Sequence, residues 1–108
     1  MSRIITILAG VYQDLEEYEN AKLFFKKATK LSPKSELASL GLYLSIVKLG
    51  KYKEAINELE RYLILYPANR YKTTLIELLT DLEGGYAQNF KETILFLAKK
   101  NNIKLGIG

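Results

Sequence analysis

Apolar residues recur at three- and four-residue spacing along most of the chain, and the breaks between these runs fall at fixed places. That is the pattern of amphipathic helices joined by short turns. Laying the chain over itself at an offset of 34 residues pairs Leu8 with Leu42 and Ile76, Leu15 with Leu49, Ala21 with Ala55, Phe25 with Leu59, Leu31 with Leu65, and Pro33 with Pro67. Tyr18, Tyr52 and Tyr86 keep the same interval. A period of this length predicts stacked helical repeats. Each repeat is expected to hold two helices, a short turn and a proline-marked exit, because proline lacks the amide that would continue a helix and disfavours helical geometry in the residue before it. The repeats are expected at residues 2–35, 36–69 and, in degenerate form, 70–103, with a tail at 104–108; the whole 108 residues make one domain.

Small side chains at Ala9, Ala21 and Ala28 let two antiparallel helices approach closely, with Tyr12 and Phe25 expected to fill the space left between them. A large residue at position 21 would push the pair apart. In the second repeat Tyr43 and Tyr62 stand where small residues are expected, which predicts a wider or rotated contact. In the third, Asn89, Phe96 and Asn101 fall where the first repeat has Ala, Ala and Pro, although Ile76, Gly84 and Tyr86 still match. One helix pair cannot bury its apolar face alone, so neighbouring pairs must supply the core.

With Ile5, Leu8, Ala9, Tyr12, Tyr18, Ala21, Phe25, Ala28 and Pro33, residues 2–35 resemble the tetratricopeptide repeat family, only the tryptophan common near the start being replaced, by Ile5. Leu42, Gly50, Tyr52, Ala55, Leu59 and Pro67 carry the resemblance through the second repeat. It implies an all-α, right-handed superhelical solenoid of antiparallel helix pairs, about three repeats and six helices, acting as a non-enzymatic protein–protein interaction module. It also implies that the first helix of each repeat lines a concave groove. The groove positions are then Arg3, Thr6, Gly10 and Gln13, followed by Leu37, Leu40, Leu44 and Val47, and by Tyr71, Thr74, Leu78 and Asp81.

The first helix of the middle repeat departs from a simple amphipathic pattern. At about 100° per residue, Ala38, Leu42, Ile46 and Leu49 form one apolar stripe, and Leu37, Leu40, Leu44 and Val47 form another on nearly the opposite side. One stripe suffices for the core; the second is surplus. Complete burial of four such side chains is worth about 6–12 kcal/mol before ordering costs. The expected contact surface is therefore Leu37, Leu40, Leu44, Val47, Tyr71, Leu78 and Leu82, receiving an apolar or amphipathic protein helix as an adaptor or holding chaperone would. Two other occupants compete. One is the chain's own C-terminal part, where Phe90, Ile94, Leu97 and Ala98 make an apolar face and residues 103–107 alternate as an extended segment would. The other is a second copy, giving a homo-oligomer through the groove or the uncapped ends.

Composition removes several chemistries. The chain has no cysteine and no histidine, which leaves no thiolate nucleophile, no disulfide and none of the usual zinc ligand sets. Asp14, Glu16, Glu17 and Glu19 cross the turn of the first repeat without the alternating ligands and central glycine of a calcium loop, so no metal is expected. Gly84 and Gly85 follow no strand and precede no Lys-Ser/Thr pair, so they read as a helix end rather than a phosphate cradle. No cofactor is expected. Sixteen basic residues against twelve acidic ones give a net charge of +4, concentrated at Lys22, Lys26, Lys27, Lys30 and Lys34. Their helical spacing marks a solvated face, and only three basic residues are Arg, so nucleic acid is the weaker reading. The polar side chains with which some tetratricopeptide proteins clamp acidic tails are missing too, since Thr6, Gly10 and Gly41 stand near those places, with Arg70 and Lys72 the nearby charges. No run reaches the ~20 apolar residues of a membrane span. The apolar run from Ile4 to Tyr12 shows no evident signal cleavage site, and the expected setting is cytoplasmic.

Overall fold

The computed structural model describes residues 2–103. Among them are six α-helices and no strand: α1 (Ser2–Asp14), α2 (Tyr18–Leu31), α3 (Glu36–Lys48), α4 (Tyr52–Leu65), α5 (Tyr71–Thr80) and α6 (Lys91–Lys100), with a 3-10 helix at Tyr86–Phe90 before α6. The alternating segment read at 103–107 lies, beyond Ile103, outside the described residues. The helices gather into two compact units, one running to Tyr62 and one beginning at Leu63.

The 34-residue period reappears in the helix starts, from Ser2 to Glu36 and from Tyr18 to Tyr52. Both second helices stop two residues short of a proline, at Leu31 before Pro33 and at Leu65 before Pro67. The turns inside the first two repeats are built alike. Glu16 and Gly50, equivalent positions, both take positive φ, at 61° and 77°. In each turn the next amide reaches back to close the helix end, Glu17 N–H to Tyr12 O at 2.8 Å and Lys51 N–H to Ile46 O at 3.2 Å. The end of α6 repeats the device with Asn102 at φ 58° and Ile103 N–H on Ala98 O at 2.9 Å. Ser35 caps α3, its hydroxyl accepting from Ala38 N–H at 3.2 Å.

In the first unit α1 packs on α2, and α2 on α3. Ala9, Ala21 and Ala28 are fully buried, as their small size requires for the close approach. Tyr12 stacks on Phe24 at 5.4 Å between ring centroids. Phe25 does not simply fill the gap beside Tyr12: its ring lies against Gly41 of α3, where an added Cβ would stand 2.3 Å from a ring carbon. Tyr43 and Tyr62, the large residues in small places, are both buried, and the Tyr62 hydroxyl donates to Lys34 O at 3.4 Å. Buried Ser39 donates to Glu58 at 2.6 Å, while Arg61 grips the same carboxylate through two nitrogens, at 2.9 and 2.6 Å.

In the second unit α5 and α6 pack together, and α6 meets the 3-10 helix. Leu75, Leu79, Ala87, Ile94 and Leu97 supply its core. Ile94, Leu97 and Ala98 echo buried Leu59, Tyr62 and Leu63 one residue beyond the 34-residue spacing. The places expected for Asn89, Phe96 and Asn101 thus belong to Phe90, Leu97 and Asn102, and Phe96 stands 56% exposed. Asn101 instead has a structural role, its side-chain oxygen accepting from Ala68 N–H at 2.8 Å and its amide donating to Leu97 O at 2.9 Å. The Lys100 ammonium donates to Leu63 O and Ile64 O, at 2.7 and 3.1 Å, in the last turn of α4.

Two substitutions test this packing by urea unfolding. Gly41→Ala is expected to cost about 1–3 kcal/mol, because the buried Phe25 ring cannot recede from the new methyl without disturbing its neighbours. Glu16→Gly is expected to stabilise by up to about 1 kcal/mol by relieving the left-handed backbone.

Candidate interaction surface

α3 is enclosed on most of its circumference, with Ala38, Ser39, Gly41, Leu42, Tyr43, Ser45 and Ile46 all buried. The remaining arc carries the surplus stripe. Leu37 and Leu44 are 49% and 41% exposed, and Leu40 and Val47 are half-buried. These four residues share one helix and one side, so the structure brings them together as an apolar strip roughly three turns long.

The polar groups expected beside them on α1 are already engaged. Gln13 donates its amide to Gly41 O at 3.3 Å and to Ser45 Oγ at 3.1 Å, tying α1 to α3. Thr6 donates to Ser2 O at 2.7 Å within its own helix. Arg3 remains exposed and Gly10 is half-buried.

The other three expected contact residues belong to the second unit. Tyr71 and Leu78 are 0% and 5% exposed, so they are core and present no open contact surface. The reason is economy: α5 is only ten residues long, and Tyr71, Leu75, Leu78 and Leu79 form its single buried stripe. Leu82 is half-buried and lines, with Leu79, Leu95, Ala98 and Ile103, an apolar cleft of about 560 Å³.

The charged residues form surface pairs and rows. Lys22 bonds Glu54 at 2.8 Å, and Lys27 lies 5.1 Å above the centre of the Phe24 ring. That hydrogen bond, reinforced by the positive charges of Lys22, Lys26 and Lys51, holds the Glu54 carboxyl below its ordinary pKa despite the opposing effect of partial burial. The acidic residues of the first turn are exposed, and Glu17 accepts from Asn20 at 3.0 Å. Among the described residues no three acidic side chains converge as metal ligands, and no helix is long and apolar enough to cross a membrane.

Helix pair, small-residue contact and proline exit are thus assembled in residues 2–35, and this same segment matches the family model described as Tetratricopeptide repeat. Residues 2–35 are similar to a tetratricopeptide repeat. The match supports the assignment drawn from the repeat pattern, and tetratricopeptide repeats generally mediate protein–protein interaction without catalysis. No curated protein and no solved structure matches the chain.

Within this tetratricopeptide-like segment lies a surface that the hydrophobic pattern alone did not single out. Ile4, Ile7, Leu8 and Val11 of α1, and Leu15 just past its end, are all exposed, from 40% at Leu8 to 66% at Ile4. At the 34-residue spacing they stand over Ala38, Gly41, Leu42, Ser45 and Leu49. Large residues over small ones at three of these five places were the available signal.

The Lys22–Glu54 pair yields a pH expectation. A carboxyl whose folded pKa is lowered contributes stability above its unfolded pKa, about 4.3 for glutamate, and loses it as pH falls through the lower folded value. Glu54→Gln should flatten the acid limb of the stability profile in that window, and cost less than about 1 kcal/mol at neutral pH because the pair is partly exposed. Chemical denaturation from pH 7 down to pH 3 measures both.

Proposed function

We propose that the chain is a non-enzymatic interaction module, an adaptor or holding chaperone, whose α3 strip receives an apolar or amphipathic helix from another protein. The observation that carries this reading is the surplus stripe: Leu37 and Leu44 stay about half exposed on a helix otherwise enclosed by its neighbours. Solvent-exposed leucines at i and i+7 flanking half-buried Leu40 and Val47 form the spacing that an incoming helix engages with its own apolar face.

The magnitude bears on the kind of contact. The strip is already about half withdrawn from water, so what remains is roughly 3–6 kcal/mol rather than the sum for complete burial. Association itself costs several kcal/mol, on the order of 4–15. α3 alone therefore supports a reversible, exchanging contact better than a permanent one, which suits an adaptor or holding chaperone. The absence of cysteine from the sequence fits work in a reducing setting such as the cytoplasm.

The test is capture from native lysate with the wild-type chain and with Leu44→Glu, bound proteins being identified by mass spectrometry and the fold checked by circular dichroism. Loss of a partner by about tenfold or more with the variant, at unchanged helicity, is the expected outcome. Identical captures would sink the α3 reading.

A further inference from the structure

We propose that two copies of this chain pair through α1, antiparallel about a two-fold axis, independently of the contact at α3. Ile4, Ile7, Leu8 and Val11 fall within an arc of about 100° on α1, a seam at helical spacing along the element, and Leu15 follows directly after its end. All five are exposed. They leave on the order of 500 Å² of contiguous apolar surface open, near the top of the range for the largest patch on a monomer. The same patch on a second copy brings the total to on the order of 1,000 Å², where specific interfaces begin.

The occupant is identified by comparison within the chain. The equivalent face of α3 holds Ala38, Gly41 and Ser45, all buried, with the Phe25 ring seated on Gly41 and the Gln13 amide on Ser45. Small residues there admit a preceding helix pair at close range. α1 has Ile4, Ile7 and Val11 at those places. An aromatic side chain approaching as Phe25 does would run into Ile7, so the α1 face is not shaped for another repeat of the same kind. Large branched side chains separated by a turn instead interdigitate with a stripe of similar side chains, and an identical stripe is present on every copy.

Charge selects the orientation. Arg3 and Asp14 sit at opposite ends of α1, within about 20° of each other around its axis and on one flank of the seam. Both are exposed, and neither pairs with another side chain among the described residues. When two such helices run antiparallel, that flank of one faces the same flank of the other. Arg3 of each copy then lies opposite Asp14 of its mate, and the two-fold axis makes the pairing twice. A parallel arrangement would turn this flank of one copy toward the opposite flank of its mate, where neither Arg3 nor Asp14 meets the other. Because the contact uses the same patch on both chains, it closes at two copies.

Sedimentation equilibrium across low-micromolar to submillimolar concentration tests the proposal on the full chain. The wild-type mass is expected to rise from one to two chains and no further. Ile7→Glu is expected to remain a single chain throughout with unchanged helical circular dichroism, since position 7 faces solvent in the lone copy. At low salt Arg3→Glu and Asp14→Arg should each weaken pairing about three- to tenfold, and the double variant should recover it. A mass of one chain at every concentration overturns the proposal, as does a dimer indifferent to Ile7→Glu or growth beyond two copies. Failure of the double variant to recover affinity overturns the antiparallel pairing.

Discussion

How near two helices can come is set by the bulkiest side chain between them, and in the first unit that limit is set by alanine and glycine. Ala9, Ala21 and Ala28 have no accessible surface, and Gly41 receives the ring of Phe25 at a distance that excludes even a methyl group. The stacked rings of Tyr12 and Phe24, and the insertion of Phe25 toward α3, are possible only because those positions are small. With the helices held this close, polar groups between them need partners within the same narrow space. Gln13 bonds across to Gly41 O and Ser45, and Ser39 bonds to a Glu58 carboxylate that Arg61 neutralises. Each buried hydroxyl is thereby satisfied, which matters because an unsatisfied one costs about 1–3 kcal/mol.

The same constraint determines what is left over for recognition. α3 is hemmed in so fully that only the arc of Leu37 and Leu44 reaches solvent. α1 meets α2 through buried Ala9 and the ring of Tyr12, while Ile4, Ile7, Leu8 and Val11 on its other side are all exposed. A helix with two apolar faces stays soluble as part of a fold when one face is covered within the chain. The uncovered face then carries the surface energy that drives association.

The third repeat shows the limits of a period. Its 3-10 helix begins at Tyr86, where a second helix should start, but the α-helix proper waits until Lys91. Gly85 takes φ 55° after a run of turns, and the buried residues of α6 fall one place later than the period predicts. Without an alanine at the expected position, the close contact of the first repeat has no counterpart there, and the core is made by Leu75, Leu79, Ile94 and Leu97 instead. Asn101, which replaces a proline in the sequence register, bonds Ala68 N–H and Leu97 O and so stabilises the end of α6.

The sequence by itself determined the all-α class, the first four helices with their starts and proline exits, and the doubled apolar stripe on α3. Those features depend on local spacing and backbone restriction, which the chain carries residue by residue. It could not say that Tyr71 and Leu78 would be core while Leu37 and Leu44 stay open, because helical periodicity gives the side of a helix a residue occupies but not what stands beside it. The exposure of Ile4, Ile7 and Val11, the capture of Gln13 by α3 and the one-residue shift in α6 were likewise decided by tertiary structure. In each case the deciding quantity was the distance to a neighbour remote in sequence, and that distance exists only once the helices have packed.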